Sequence, residues 1–312
     1  MKKCWNMFTI KYLHNKDLDR EKWDTCISGA LNGLIYARSW YLDLVSPGWE
    51  ALVLGDYGVV MPLCRGRKFG ISYIYPPYFT QQLGIFASRK IDELTVDSFL
   101  RHIPDKYRLV EISMNDRNPL LGSFYTVTQK ANYLIDLKPG YEIISSNYTR
   151  NCRRNIGKAE TAGLIIEETD RPYGFVGFIR KNLEEKLPQV KNRHYAILEK
   201  IIRVSMEKGA GKIVNVYTSA KRWCAAASFL VTEDRCIFSV CASTPEGKAG
   251  QAMYLLVDYA IRKYAGKKML FDFSGSNIEG VAYFNRSFGA QWVPYSFISK
   301  NDLPWYVKFF KR

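Results

Sequence analysis

Three groups of residues carry chemistry by their type and spacing. The first is Thr244-Pro245-Glu246-Gly247-Lys248-Ala249-Gly250-Gln251, between a strand expected over residues 235–243 and a helix expected over about 248–264. A small-residue turn that opens a helix leaves backbone N–H groups unpaired. It also aims the positive end of the helix dipole outward, which suits an anion such as a pyrophosphate. Gly247 and Gly250 would let that anion approach the backbone. Lys248, Gly250 and Gln251 are therefore the candidate cofactor-binding residues. An ordinary strand-turn-helix connection has the same pattern. Met253, Leu256, Val257, Ala260, Ile261 and Tyr264 form the apolar stripe of the helix.

The second group is Phe271-Asp272-Phe273-Ser274-Gly275-Ser276-Asn277, followed by Tyr283-Phe284-Asn285-Arg286-Ser287-Phe288-Gly289-Ala290. Asp272 lies near the C-terminal end of an apolar strand, where open α/β sheets bind ligands. Flanked by phenylalanines, it is a candidate general base. Capping of the next helix or pairing with Arg286 would explain it equally well. The third group lies on a helix expected over about 145–162. Arg150, Arg154 and Lys158 recur at i, i+4 and i+8, opposite a face of Tyr148, Cys152, Ile156 and Ala159. Such a ridge can hold phosphates or a carboxylate, and it is also the ordinary form of a solvated helix face.

These groups need a scaffold. At 312 residues, 47% hydrophobic and 24% charged, the chain has material for two cores. The net charge of +15 favours anionic partners. Seven scattered cysteines without a CxxC argue against a disulfide framework or a zinc site, and three isolated histidines argue against a histidine metal site. No signal peptide and no long apolar span is read, so a cytoplasmic location is expected. The basic aromatic tail, residues 305–312, is a docked terminal segment or a weak peripheral contact with an anionic membrane.

Strands are expected over 7–12, 50–54, 58–63, 108–113 and 131–137, with helices over 17–31 and 90–102 and an irregular aromatic loop over 69–86. Pro139-Gly140 breaks the chain, which places a domain boundary after residue 138. Beyond it, strands are expected over 164–168, 212–219, 224–232, 235–243, 269–273 and 291–298. Helices are expected around 172–187, 193–207 and 278–287, besides the two above.

Taken in order, several segments resemble Fem-type transferases. Asn132-Tyr133-Leu134-Ile135-Asp136-Leu137 followed by Arg150-Asn151-Cys152-Arg153-Arg154-Asn155-Ile156-Gly157-Lys158-Ala159 is similar to that family's domain junction. Phe271-Asp272-Phe273-Ser274-Gly275 and Phe288-Gly289-Ala290 are similar to its later segments. Tyr36-Ala37-Arg38-Ser39-Trp40 and the run from Pro76 to Gly84 resemble it more loosely. The resemblance implies an α/β chain of two tandem acetyltransferase-like domains, residues 1–138 and 139–312, with mixed sheets flanked by helices. It implies acyl or aminoacyl transfer from acyl-CoA or aminoacyl-tRNA to an amine or hydroxyl acceptor, such as a cell-envelope or polysaccharide precursor. No tightly bound cofactor is implied, and transfer RNA becomes an expected partner if the donor is aminoacyl.

On that reading Asp272 is the base, and Arg150, Arg154, Lys158 and Arg286 hold anionic groups. Arg38, Gln81, Gln82, Ser276 and Asn277 shape the acceptor side. The sequence also departs from the pattern. Acetyltransferases often carry a Tyr four residues before a terminal Gly-Phe, as the acid for the leaving thiolate. Here that position is Asn285, and Ala290 replaces the Phe. Tyr283 substitutes only if the helix is rotated. These departures sustain an alternative, a non-catalytic binding module on a degenerate acetyltransferase fold. Nucleic-acid binding by charge alone is a third reading, without a recognised motif.

Overall fold

The structure is a computed structural model that describes residues 9–120 and 124–304; the expected tail, residues 305–312, lies outside the described residues. The chain divides into two compact units, Met1–Lys130 with Pro294–Arg312, and Ala131–Val293. The boundary therefore falls earlier than the expected one after residue 138, and the end of the chain returns to the first unit. Strand pairing is the reason. Tyr133–Asp136 pairs antiparallel with Leu270–Asp272 on one side and Gln291–Trp292 on the other. Tyr295–Asn301 instead pairs with Tyr107–Ser113 and Thr126–Lys130. The strand expected over 291–298 is thus two strands in different sheets. They part at Pro294, whose missing N–H cannot continue a ladder.

In the first unit, Ile10–Leu13, Glu50–Leu54, Val59–Leu63 and Phe86–Ala87 form an antiparallel sheet in that order. A second sheet runs Arg65–Lys68, Ile71–Ile74, Tyr107–Ser113, Tyr295–Asn301 and Thr126–Lys130. Part of the expected loop over 69–86 is therefore strand, Ile71–Ile74 and Phe86, while the run 75–85, with both prolines, stays outside the ladders. Helix Glu93–Arg101 starts at Asp92, whose carboxylate accepts from Thr95 N at 2.7 Å. It buries Val96, Phe99 and Leu100 against Leu52, Met61, Ile112 and Ile298.

The second unit is built on one seven-stranded sheet. Ile165–Thr169, Gly211–Tyr217, Trp223–Val231 and Arg235–Ser243 form an antiparallel meander. Leu270–Asp272 then joins parallel to Arg235–Ser243, followed by Tyr133–Asp136 and Gln291–Trp292. Trp223–Val231 is buried from Cys224 to Leu230, as a central strand covered on both faces must be.

The helix expected over 145–162 is two helices, Tyr141–Ser146 and Arg150–Thr161. Thr149 ends the break by accepting from Cys152 N at 3.2 Å, a Thr N-cap. Cys152, Ile156 and Ala159 face the core as expected. The helix expected from 248 is likewise interrupted. A short turn of helix, Pro245–Ala249, ends before Gln251, which takes the left-handed conformation at φ 59°, and Ala252–Tyr264 starts afresh. Leu256, Val257, Ala260 and Ile261 are buried on its core face.

Candidate functional site

The parallel pair Arg235–Ser243 and Leu270–Asp272 stays in register only from Arg235 opposite Leu270 to Ile237 opposite Asp272. On the other side, Ser228 opposes Val240 while Phe229 opposes Phe238, so Ser239 is an extra residue in its strand. A bulge of this kind bends a strand and re-aims its side chains. Beyond Asp272 the neighbouring chain turns away through Ser274 and Gly275, both at φ 55°. The two strands therefore part, and a cavity of about 570 Å³ fills the opening.

Four elements of the second unit wall it. The parted strand supplies Phe238, Ser239, Cys241, Ala242 and Ser243. The turn and helix start beyond it supply Gly247, Lys248, Gln251, Met253 and Tyr254. The other chain supplies Phe273 to Ser276, and helix Glu279–Ser287 supplies Gly280, Val281, Phe284 and Asn285. Leu183 and Lys186 complete the rim. Tyr254 packs edge-on against Phe284, centroids 4.7 Å apart, and stacks on Phe288 at 5.6 Å. Burial pushes the Cys241 thiol up to about 12, so it is an inert part of the wall.

Charge at this cavity is one-sided. Lys186 and Lys248 lie close together at the mouth, and the proximity of Lys186, with its like charge, lowers the pKa of Lys248. The first turn of Ala252–Tyr264 opens on the same cavity, with N–H groups of Ala252 and Met253 that have no acceptor inside the helix. Two cations and a helix N-terminus make an anion-attracting rim.

The expected site residues distribute unevenly around this centre. Lys248, Gln251 and Ser276 line the cavity. Gly250 does not; a Cβ there would sit 3.5 Å from Leu164. Gly247 does line it, yet packing already demands glycine there, because a Cβ would fall 2.1 Å from the carbonyl oxygen of Cys224. Met253 packs against the core and also lines the cavity wall.

Asp272 is 1% exposed and both its oxygens are engaged. Oδ2 pairs with Arg235 Nη1 at 2.6 Å, and Oδ1 accepts from Ser274 N at 2.8 Å. It ties the last paired level of the two strands to the turn beyond it. Its ionic partner is Arg235, not Arg286. Tyr283 is 52% exposed, on the face of its helix away from Phe284 and Asn285. The tyrosine that lines the cavity is Tyr254.

The remaining candidates lie elsewhere. Arg286 pairs with Glu279 at 2.5 Å, and Asn277 Oδ1 accepts from Ala131 N at 2.9 Å. Arg150, Arg154 and Lys158 form an exposed ridge outside this cavity. Arg38, Gln81 and Gln82 belong to the first unit. Arg38 donates to the carbonyl of Asp24 at 3.2 Å, and Gln82 Oε1 accepts from Asp116 N at 2.9 Å. Gln81 and Gln82 line a small separate recess of about 10 Å³, room for a water molecule. Sequence reasoning missed Lys186 and Tyr254. Lys186 sits in a charged stretch like any other lysine, while Tyr254, in the first turn of a helix beside a candidate anion site, could have been found.

The chain thus has two α/β units, the second opened between parallel strands above a helix N-terminus. Among solved structures the chain is similar to FemX, with a TM-score of 0.65 and 13% identity, covering 96% of this chain and 99% of that one. The fold is thus Fem-like over nearly its whole length. It is also similar to a conserved protein of unknown function from Bacteroides thetaiotaomicron (TM-score 0.56, 10% identity, 94% and 99% covered). A DUF2156 domain from Agrobacterium fabrum follows at TM-score 0.52 and 12% identity, with 90% and 91% covered. No family model matches the sequence, and no curated protein matches it either. At these identities the likeness is one of fold. Among the described residues, no helix is long and apolar enough to cross a membrane, and no cluster of His, Cys, Asp or Glu could hold a metal ion.

Proposed function

We propose that the second unit transfers an acyl or aminoacyl group from an activated donor to an amine or hydroxyl acceptor, in cell-envelope or polysaccharide metabolism. The observation that carries this reading is the cavity between the parted strands, with its cationic mouth and aromatic interior. The donor's phosphates would meet Lys186, Lys248 and the N-terminus of Ala252–Tyr264. Its acyl end would lie among Phe238, Phe273 and Phe284. The FemX-like fold supports transfer chemistry without naming donor or acceptor. Catalysis would rest on positioning the two reactants and on polar groups at the carbonyl. Tyr254 takes the role sought for Tyr283, as the phenol placed to return a proton to the leaving thiolate or alcohol.

Titration calorimetry with acetyl-CoA and with a non-hydrolysable aminoacyl-tRNA analogue tests the reading. Saturable binding of one, weakened by joint Lys186→Ala and Lys248→Ala replacement, is expected. Binding of neither refutes it. The second reading, a binding module without catalysis, is favoured by the engagement of Asp272. Donor binding without turnover in the presence of amine and hydroxyl acceptors would select it.

A further inference from the structure

Asn285 forms part of the cavity wall, is 1% exposed, and its Nδ2 has no hydrogen-bond partner. A buried amide N–H without an acceptor is costly, and such groups in native proteins have a reason to persist. Its own helix places it beside Val281 and Phe284, both also in the wall. Nδ2 itself has no hydrogen bond to lose by turning toward an occupant. The occupant must then present an acceptor atom.

The rest of the wall narrows the occupant further. Its charged side chains are Lys186 and Lys248, and no Asp or Glu is among the lining residues. Asp272, just below, is neutralised by Arg235. A cationic group would have to pass two ammonium groups and lie among phenylalanines without a counter-charge, which burial penalises strongly. An uncharged acyl group would bury apolar surface and offer a carbonyl oxygen.

Resting on the reading of this cavity as the donor site, we propose that Asn285 donates Nδ2–H to the carbonyl oxygen of the group under transfer, an uncharged acyl carried as a thioester. An amine acceptor's lone pair forms the new C–N bond, and the carbonyl π pair moves onto the oxygen held by Asn285. On collapse the C–S bond breaks and the thiolate leaves with its electron pair, while the amine's surplus proton passes to water. An amide does not surrender a proton at neutral pH, so Asn285 stabilises the oxyanion and protonates nothing.

The test uses the full chain, butyryl-CoA labelled with ¹³C at the carbonyl, and Asn285→Leu. Because Nδ2 has no partner to lose, this near-isosteric change should leave the melting temperature unchanged or raised; a clear fall would assign Asn285 a structural role and overturn the proposal. In isotope-edited infrared spectra the bound carbonyl band should move to higher frequency in Asn285→Leu than in the wild type. Coincident bands overturn the assignment of Asn285 while leaving the donor site standing. The charge argument has its own arm: β-alanyl-CoA matches butyryl-CoA in length but ends in an ammonium group. Butyryl-CoA should bind at least tenfold more tightly, and equal affinity overturns the uncharged class. If butyryl-CoA shows no saturable binding to the wild type, this proposal fails; the donor-site reading fails with it only when the aminoacyl-tRNA analogue does not bind either.

Discussion

Glu50 in the first unit and Asp272 in the second are both carboxylates buried at a strand end, and they are held in different ways. Glu50 opens strand Glu50–Leu54 at 3% exposure. It accepts from the phenols of Tyr12 and Tyr107 and meets His14 at 3.0 Å, Arg65 at 3.3 Å and Lys106 at 3.5 Å. Burial alone would raise its pKa, but the hydrogen bonds from Tyr107, Tyr12 and His14 and the charge of Lys106 together lower it. Asp272 closes strand Leu270–Asp272 with one guanidinium and one backbone amide. Many partners gather the first carboxylate into a closed cluster. Few partners leave the chain beyond the second free to turn away, and the cavity begins there. The second carboxylate thus holds the last paired level from which the two strands part.

The largest expected effect falls on Asp272. Asp272→Ala removes the carboxylate that pairs with the buried guanidinium of Arg235 and should cost about 3–5 kcal/mol in denaturant unfolding. Donor binding should fall with it, because the turn through Ser274 loses its anchor. Retained stability would show that the pair is dispensable and would remove the contrast with Glu50.

Glu50→Gln should cost about 1.5–3 kcal/mol, the range for hydrogen bonds to a charged group, with donor affinity unchanged. The pH dependence has a definite sign. A carboxylate whose folded pKa is lowered contributes stability that is full above its unfolded value near 4.5 and is lost as pH falls through the folded value. Acid titration of stability should therefore flatten in Glu50→Gln; an unchanged acid limb would mean that other carboxylates govern it.

Gly247→Ala forces a methyl group against the Cys224 carbonyl and should destabilise by about 1–3 kcal/mol, read as a lowered unfolding midpoint. Full stability with impaired donor binding would instead restore ligand approach as the reason for that glycine.

The smallest effect concerns the cavity mouth. Replacing Lys186 and Lys248 together should weaken a phosphate-bearing donor roughly tenfold, about 1.4 kcal/mol. Lys248 has its pKa lowered by Lys186. A bound anion favours its charged form, so affinity should be highest at lower pH and decline as pH rises through the lowered value. A pH-independent affinity would place the donor's phosphates elsewhere.

Legibility in the sequence followed the strength of the local signal. Strand Arg235–Ser243 and the core face of Ala252–Tyr264 were readable because apolar residues recur there at the right period. Arg65–Lys68 and Thr126–Lys130 were not, since both are largely exposed and polar and are strands only because a neighbour supplies the ladder. Within the cavity wall, the turn that carries Gly247, Lys248 and Gln251 was legible through its composition. The ionic partner of Asp272 was not, because Arg235 stands 37 residues away and only the parallel pairing brings it near.

By itself, the amino-acid sequence determined the Fem-like order of segments, the positive turn at Lys248 and Gln251, and the presence of Asn285 where a phenol was sought. The tertiary structure alone decided which of these meet. It turned Asp272 into an anchor, carried Tyr283 to the outer face of its helix, and brought Lys186 and Tyr254 to one cavity. The physical reason is that a side chain's type and period are local properties. Its partner, its burial and the parting of two strands depend on distant residues brought together by the sheet.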